Sequence, residues 1–441
     1  MKITSSYAIE IKHIQKLFNS TIAIYNNAIS YCVLNLEKDW DSFKELDSVQ
    51  RKGLADKLLH TTKNNQAKYD FDKEFPKMPS YLRRNCINEA LGYLSSYHSN
   101  VENWVANGQK GNKPSFQSNL HKLPTFYKDN MYDPEDIGSD QVQLKLFINN
   151  DWNWHIVTLK HTDMQYIRKH LQNTKMSTPT LEKKNNKWFL RFAFTEEVKI
   201  PTVQIKSQTI LAVDLGINTD ATCSVMDSNG TIFAREFINF ASDKDRIYHT
   251  LNKIKGIQQK YGFRTHNTTK LWRDVVNHND ELASKIAKAI VEKAILYDVD
   301  VIVFEHLDTK GKKRGKSKQK LYMWKKNTVQ RIVEHKAHRN GIRISHICAW
   351  KTSQLAFDGS GKVLRGKDAG FDTYEICKFH NGKIYNCDLS ASYNIGARYF
   401  VRELQKSIFA KKWSDIVAKV PECQKRTLCT YSTLLEINKV A

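Results

Sequence analysis

The stretch ILAVDLGINTDATCSVMDSNGTIFAREFI, residues 210–238, decides the fold. It opens on an apolar run that ends in an acid and a glycine, continues as ATCSVMD, turns at Asp227-Ser228-Asn229-Gly230 and returns as TIFAREFI. Short apolar runs punctuated this way predict three consecutive strands, the last two joined as a hairpin. Downstream, Leu282, Ile286, Ile290 and Ala294 recur at helical spacing in a long region that runs to Asp298. VDVIVFEHL (299–307) then predicts a buried strand. A helix over about 324–340, the strand IRISHI and a final helix beginning at DLSASYNIGARYF complete the order. Three meandering strands followed by alternating helix and strand predict a ribonuclease H-like α/β domain.

Upstream the pattern differs. After a short alternating start, Ile14, Leu17, Phe18, Ile22, Tyr25, Ile29 and Cys32 recur at steps of three and four, and a second helix is predicted from about Ser80 to Val105. Residues 107–139 are rich in Gly, Pro, Lys and Asn and read as loop. Val142, Leu144, Leu146 and Ile148, then Trp188, Leu190, Phe192 and Phe194 after KKNNK, alternate with polar residues, so 140–197 predict antiparallel strands. The polar residues around Pro201 mark a boundary before the second domain.

Composition narrows the partner. The 441 residues carry 69 Lys and Arg against 46 Asp and Glu, a net charge of +23. Such a surplus points to a polyanion rather than a neutral metabolite. The hydrophobic fraction of 41% suffices for a core and excludes wholesale disorder. No run of eighteen apolar residues and no signal-peptide pattern are seen, so a cytoplasmic protein without a membrane partner is expected. The eight scattered cysteines suit reduced thiols. No Gly-x-x-x-x-Gly-Lys phosphate loop is present, which leaves ATP-driven transposition or helicase activity unsupported.

The predicted order turns three carboxylates into a candidate site. Asp214 ends the first strand, Glu305 the fourth, and Asp388 starts the last helix. A carboxylate among Val and Phe must be paired or metal-bound, because an isolated buried charge costs several kcal/mol. Hard oxygen ligands suit Mg²⁺ or Mn²⁺. Two such ions about 3.5–4 Å apart serve phosphodiester hydrolysis; Asp214 would bridge both, and Glu305 and Asp388 would each complete one. Each acid taken alone reads more readily as a loop residue or helix cap; the three together at three matching topological places reverse that reading. Asp220, Asp308 and His306 read as turn or solvated residues.

VDLGINTDA around Asp214, VIVFEHL around Glu305 and CDLSASYNIGAR around Asp388 resemble the three segments of the split RuvC nuclease domain of TnpB proteins and the compact type V CRISPR effectors descended from them. The resemblance spans 205–402 and extends more weakly to the N-terminal half. TKGKKRGKSKQKLYMWKKNTVQRIVEHKAHRNGI is similar to the family's basic segment after the second acidic motif. It implies a multidomain α+β protein: a wedge β-barrel with an inserted helical recognition lobe (1–204), the first part of a RuvC-like nuclease (205–355), a degenerate zinc-ribbon-like insert (356–386), and the last nuclease motif with a helical tail (387–441). It implies an RNA-guided, Mg²⁺-dependent DNA endonuclease whose partners are a guide RNA, either transposon-end RNA or CRISPR RNA, and target double-stranded DNA.

The insert departs from the family. The zinc ribbon there carries two Cys-x-x-Cys pairs. Here Thr352-Ser353-Gln354 is followed by LAFDGSG, and of the second pair only Cys377 and His380 remain. A structural zinc site closes with four ligands, so no zinc is expected. Cys387 could add a third ligand but reads better as a small buried residue, leaving packing to hold the loop.

Lys310, Lys312, Lys313, Arg314, Lys316, Lys318, Lys320, Lys325 and Lys326 form a basic run after Glu305, a candidate for phosphate contacts that weaken with salt. Trp152, Trp154, Tyr166, Trp188 and Phe189 could stack on bases, though most read as core. Two other readings share parts of this pattern: a guided DNA-binding repressor that does not cleave, and an unguided, structure-specific RuvC-type nuclease. Residues 406–441 suggest only a further amphipathic helix carrying Phe409, Trp413 and Ile416.

Overall fold

The computed structural model describes residues 1–12, 16–133, 140–171, 174–263, 265–306 and 323–440. The chain divides into two compact units, residues 2–196 and residues 197–441 with Met1.

In the first unit, β1 (Lys2–Ile11) precedes the helices α1 (Asn19–Lys38), α2 (Ser48–Leu59), α3 (Phe71–Glu74) and α4 (Ser80–Ala106). Then come β2 (Tyr132–Asp133), β3 (Gln141–Ile148), β4 (Asp151–Thr158), α5 (His161–His170), β5 (Lys175–Met176), β6 (Thr180–Lys184) and β7 (Lys187–Glu197). The period-two residues Trp188, Leu190, Phe192 and Phe194 are buried together with Tyr25, Ile29 and Leu36 of α1 and Leu82, Cys86 and Leu94 of α4. Two Asn-Asn pairs turn the hairpins β3–β4 and β6–β7. All four residues take positive φ, 53° and 61° at Asn149 and Asn150, 50° and 61° at Asn185 and Asn186, as a tight hairpin turn requires.

The expected closed barrel is not formed among the described residues. The strands make two open sheets, β1-β7-β5 with β6 also on β7, and β2-β3-β4. Single bridges, Ile11 to Leu159 and Thr125 to Thr180, add no ladder, and after β4 the chain enters helix α5. That helix interrupts the run of strands expected over 140–197. None of its residues is fully buried; Met164 and Ile167 pack half-buried against the core, a stripe too short to stand out in a ten-residue helix.

The second unit is built on a five-stranded sheet of β8 (Thr209–Asp214), β9 (Ala221–Asp227), β10 (Ile232–Ile238), β11 (Val301–His306) and β12 (Arg343–Cys348). The spatial order is β10-β9-β8-β11-β12. The first three strands pair antiparallel; β11 runs parallel to both β8 and β12. This is the arrangement read from residues 210–238 and 299–307. Helices α6 (Ala241–Tyr261), α7 (Thr269–Leu296) and α8 (Lys326–Arg339) cover one face, against Leu211, Val213, Ile302 and Phe304. The other face presents Ile210, Ala212, Val301 and Val303 to α9 (Cys387–Ser407), α10 (Ala410–Lys419) and α11 (Tyr431–Val440).

Close packing of α9 depends on Gly396, where a Cβ would stand 2.5 Å from Met226 Sδ and 3.2 Å from Ala212 Cβ. The C-terminal tail thus has a structural place. Trp413 and Ile416 join this core while Phe409 stays 88% exposed, and Asn438 Nδ2 donates to the Ser228 carbonyl oxygen at 2.9 Å, clamping the β9–β10 turn.

Between β12 and α9 lies a small sheet of β13 (Leu364–Arg365), β14 (Ile376–Lys378) and β15 (Ile384–Asn386). Its core joins Ala356, Val363, Cys377, Phe379 and Cys387. Phe357 is the hub, with ring centroids 5.6 Å from Phe379, 4.9 Å from Tyr385, 5.2 Å from Tyr393 and 6.0 Å from Tyr431. Lys383 lies over the Phe357 ring at 4.6 Å. Aromatic packing therefore ties the insert to α9 and α11.

Candidate active site

Side-chain alternation sets the site. Leu211 and Val213 face the α6–α8 layer, so Ile210, Ala212 and Asp214 face α9. The same parity in β11 turns Val301, Val303 and Glu305 to that side. Val213 is registered against Phe304 in the parallel pair, which brings Asp214 and Glu305 to the same level at adjacent strand ends. Asp388 enters from above in the first turn of α9, whose N-cap Asn386 accepts from the Leu389 N–H at 2.9 Å. Gly216 fits the gap between: a Cβ there would stand 2.4 Å from the Thr219 carbonyl oxygen and 3.9 Å from Asp388 Oδ2.

The carboxylates act on one another. Lack of solvation raises Asp214 well above the usual carboxylate range, and the charges of Glu305 and Asp388 raise it further, against the pull of Arg365. Burial also raises Glu305, offset by the Thr352 hydroxyl and the charges of Arg398 and Lys326. Asp388 is raised by desolvation, lowered by Arg365 and raised again by Glu375. Glu305 is 7% exposed; Asp214 and Asp388 are half-buried.

The donors suit a hard divalent cation in kind: carboxylate oxygens short of positive charge. They do not stand as a closed ligand set, since no three His, Cys, Asp or Glu side chains among the described residues are grouped so that they could hold a metal ion. Glu305 is instead bound by Thr352, whose Oγ1 donates to Glu305 Oε1.

The supporting residues lie inside the quoted motifs, although their roles were not legible there. Asn394 Nδ2 donates to the carbonyl oxygens of Thr352 at 3.0 Å and Leu355 at 2.9 Å. Arg398, 4% exposed, donates to the carbonyl oxygens of Cys348, Trp350, Thr427 and Cys429 at 2.8–3.1 Å. One helix therefore carries Asp388 and anchors the loop that holds Glu305. Arg365, the cation acting on both Asp214 and Asp388, comes from the insert and had no signal in the sequence.

Other expected residues fall differently. Lys310, Lys312, Lys313, Arg314, Lys316, Lys318 and Lys320 lie outside the described residues. Lys325 pairs with Asp280. Lys326 is 5% exposed and sits 5.3 Å from the centre of the Trp324 ring, so it is not an open phosphate contact; its aliphatic stem packs while its charge acts on Glu305. Asp220 is buried rather than solvated, accepting from the Phe240 N–H at 2.7 Å and pairing with Lys244 at 3.3 Å. His306 is exposed, as expected, and Asp308 lies outside the described residues. Trp152 and Trp188 are core, whereas Trp154 and Tyr166 are exposed. Cys377 and Cys387 are both buried, and His380 packs beside Gly361.

A cavity of about 830 Å³ begins beside Asp214 at Leu215 and Gly216 and extends between α6 and α7, with Tyr248, Phe263 and Trp272 in its wall. Among the described residues no helix is long and apolar enough to cross a membrane.

Among known proteins, the Aq_aa04 family model matches residues 4–148. A TnpB-like protein of Aquifex aeolicus, aq_aa05, is 22% identical over 240 residues, covering 50% of this chain and 76% of that protein. Solved structures that align include a Cas12f1-sgRNA-target DNA complex (14% identity, 89% of this chain and 98% of that chain, TM-score 0.36). CasPhi-2 (Cas12j) bound to crRNA and phosphorothioate-DNA aligns at 9% identity, 88% and 90% coverage and TM-score 0.45. C2c1 of Alicyclobacillus acidoterrestris with single-guide RNA aligns at 9% identity, 88% and 69% coverage and TM-score 0.44. The resemblance to TnpB proteins carried by the three acidic motifs is thus met by similarity to a relative of that description.

Proposed function

We propose that the chain is an RNA-guided DNA endonuclease that hydrolyses phosphodiesters at a RuvC-like site, with Asp214, Glu305 and Asp388 as ligands of Mg²⁺ or Mn²⁺. The observation that carries this reading is the convergence of three acids from β8, β11 and α9 on one sheet face, with Asp214 raised by the charges of both others. Divalent ions bound there would activate a water and stabilise the leaving oxygen. In this reading the chain's own residues set the stage. Thr352 orients Glu305, α9 carries Asp388 to the strand ends, and the net charge of +23 attracts the guide RNA and target DNA. The cavity beside Gly216, with its aromatic wall, would receive unpaired bases.

One observation favours a second reading. The carboxylates do not stand as a closed ligand set, as in a guided binder that represses without cutting. Sequencing the RNA that copurifies with the protein, then incubating the complex with target plasmid and Mg²⁺, separates the readings. Guided cutting that Asp214→Ala abolishes while DNA binding survives supports the nuclease. Binding without nicking supports the repressor, and cutting without RNA supports an unguided nuclease.

A further inference from the structure

Strand β9 carries two buried hydroxyls that bond to nothing. Thr222 is 1% exposed and Ser224 0%, and among the described residues neither Thr222 Oγ1 nor Ser224 Oγ has a hydrogen-bond partner. Buried hydroxyls left unbonded destabilise a fold and are rare, so each needs a reason. Both side chains face α9: Cys223 and Val225, which alternate with them, belong to the core under α6–α8, while Met226 belongs to the core under α9.

Register separates the two. Ser224 lies between Ala212 on β8 and Arg235 on β10, and Arg235 donates to the Tyr393 hydroxyl, so neither neighbour offers Ser224 an acceptor. Thr222 lies between Asp214 on β8 and Phe237 on β10. Phe237 has no polar side-chain atom, so of the two cross-strand neighbours only Asp214 can accept. Residues directly opposed in an antiparallel pair hold their Cβ atoms about 4.5–5.5 Å apart, which puts the hydroxyl within reach of the carboxylate. On the next strand Glu305 already receives such a bond from Thr352. Carboxylates that ligate metal ions are themselves held by hydrogen bonds that fix their orientation. An ionised carboxylate has about four lone-pair sites, so Asp214 can accept from Thr222 and still face cations.

We propose that Thr222 is a positioning residue for the metal site: its hydroxyl donates to Asp214 when divalent cations bind and fixes the orientation of that carboxylate, so that each of the two strand acids is oriented by a threonine. The proposal rests on the metal-site reading above. A hydroxyl that is unbonded in the free protein and gains its partner on binding has the opposite sign from an ordinary structural hydrogen bond. Its removal spares the metal-free fold and weakens the hold on metal.

Thermal unfolding of the full chain without nucleic acid, in EDTA and across a MgCl₂ series, tests this for wild type, Thr222→Val, Thr222→Ser and Ser224→Ala. Thr222→Val keeps the shape and should be at least as stable as wild type in EDTA. Its stabilisation by Mg²⁺ should reach half-maximum at about tenfold higher concentration, the order that one hydrogen bond to a charged group carries. Thr222→Ser should restore the wild-type midpoint. Ser224→Ala removes the neighbouring unbonded hydroxyl from the same face and should leave the midpoint unchanged. If Thr222→Val does not fold, crystals of wild type grown with Mn²⁺ decide: Thr222 Oγ1 is expected within about 3 Å of an Asp214 carboxylate oxygen, and its absence there overturns the proposal. An unchanged Mg²⁺ midpoint in Thr222→Val, an equal shift in Ser224→Ala, or a Thr222→Val protein less stable than wild type in EDTA overturns the positioning role while wild type still responds to metal. No response of wild type to Mg²⁺ overturns the metal site itself and the positioning role with it.

Discussion

The Thr352 hydroxyl donates to the carboxylate of Glu305, joining a loop after β12 to a side chain at the end of β11. Thr352→Val keeps the shape and removes the donor. A buried carboxylate left without it costs about 1–3 kcal/mol. The bond favours the ionised form of Glu305, so the variant should lose most stability near neutral pH and least in acid, where Glu305 is protonated and needs no donor. Unfolding midpoints of both proteins across a pH series from neutral into acid check this; an equal loss throughout contradicts it.

Asp214 carries the opposite sign from a salt-bridged acid. Its folded-state pKa lies above the ordinary carboxylate value, so the stability it contributes is fully present below that ordinary value and is lost as the pH rises through the folded pKa. Asp214→Asn should therefore raise the unfolding temperature of the metal-free protein at neutral pH, by roughly 2–4 °C for each kcal/mol relieved. The same variant should lose the stabilisation that Mg²⁺ confers on wild type. Calorimetry in EDTA and in Mg²⁺ checks both; a variant less stable than wild type in EDTA contradicts the first.

Gly396 lets α9 lie against β8 and β9, with Met226 and Ala212 where its Cβ would be. Gly396→Leu should cost about 1–3 kcal/mol or more through overpacking and lift the helix that carries Asp388. Equilibrium urea unfolding measures the loss, and cutting should fall further than global stability alone explains.

The insert is held by Phe357 and its aromatic neighbours. Phe357→Ala should cost about 3–5 kcal/mol locally and speed hydrogen exchange across residues 356–386. A zinc chelator should leave that exchange unchanged in wild type; a chelator that opens the insert would show that Cys377, His380 and Cys387 hold metal after all.

The sheet and its acids were legible because β8, β9 and β11 are buried on both faces and read as apolar runs, while the parity of each strand fixes which way its terminal acid points. What was not legible depends on contacts distant in the chain. Arg365 meets Asp214 only through the insert, and Thr352 meets Glu305 only once Asn394 and Arg398 have anchored its loop. Lys326 reads as one more lysine in a basic run, and only the packing of α8 shows that it is buried. Helix α5 is marked only by Met164 and Ile167, half-buried against the core. The two open sheets of the first unit differ from the expected barrel because alternation specifies strands and their faces, while closure depends on ladders between strands far apart in sequence.

The central claim is that Asp214, Glu305 and Asp388 share divalent cations. An anomalous difference map from crystals of the protein grown with Mn²⁺ tests it most directly. Peaks within bonding distance of all three carboxylates, absent in Asp214→Asn, are the predicted result; Mn²⁺ bound only elsewhere, or equally in the variant, would contradict it.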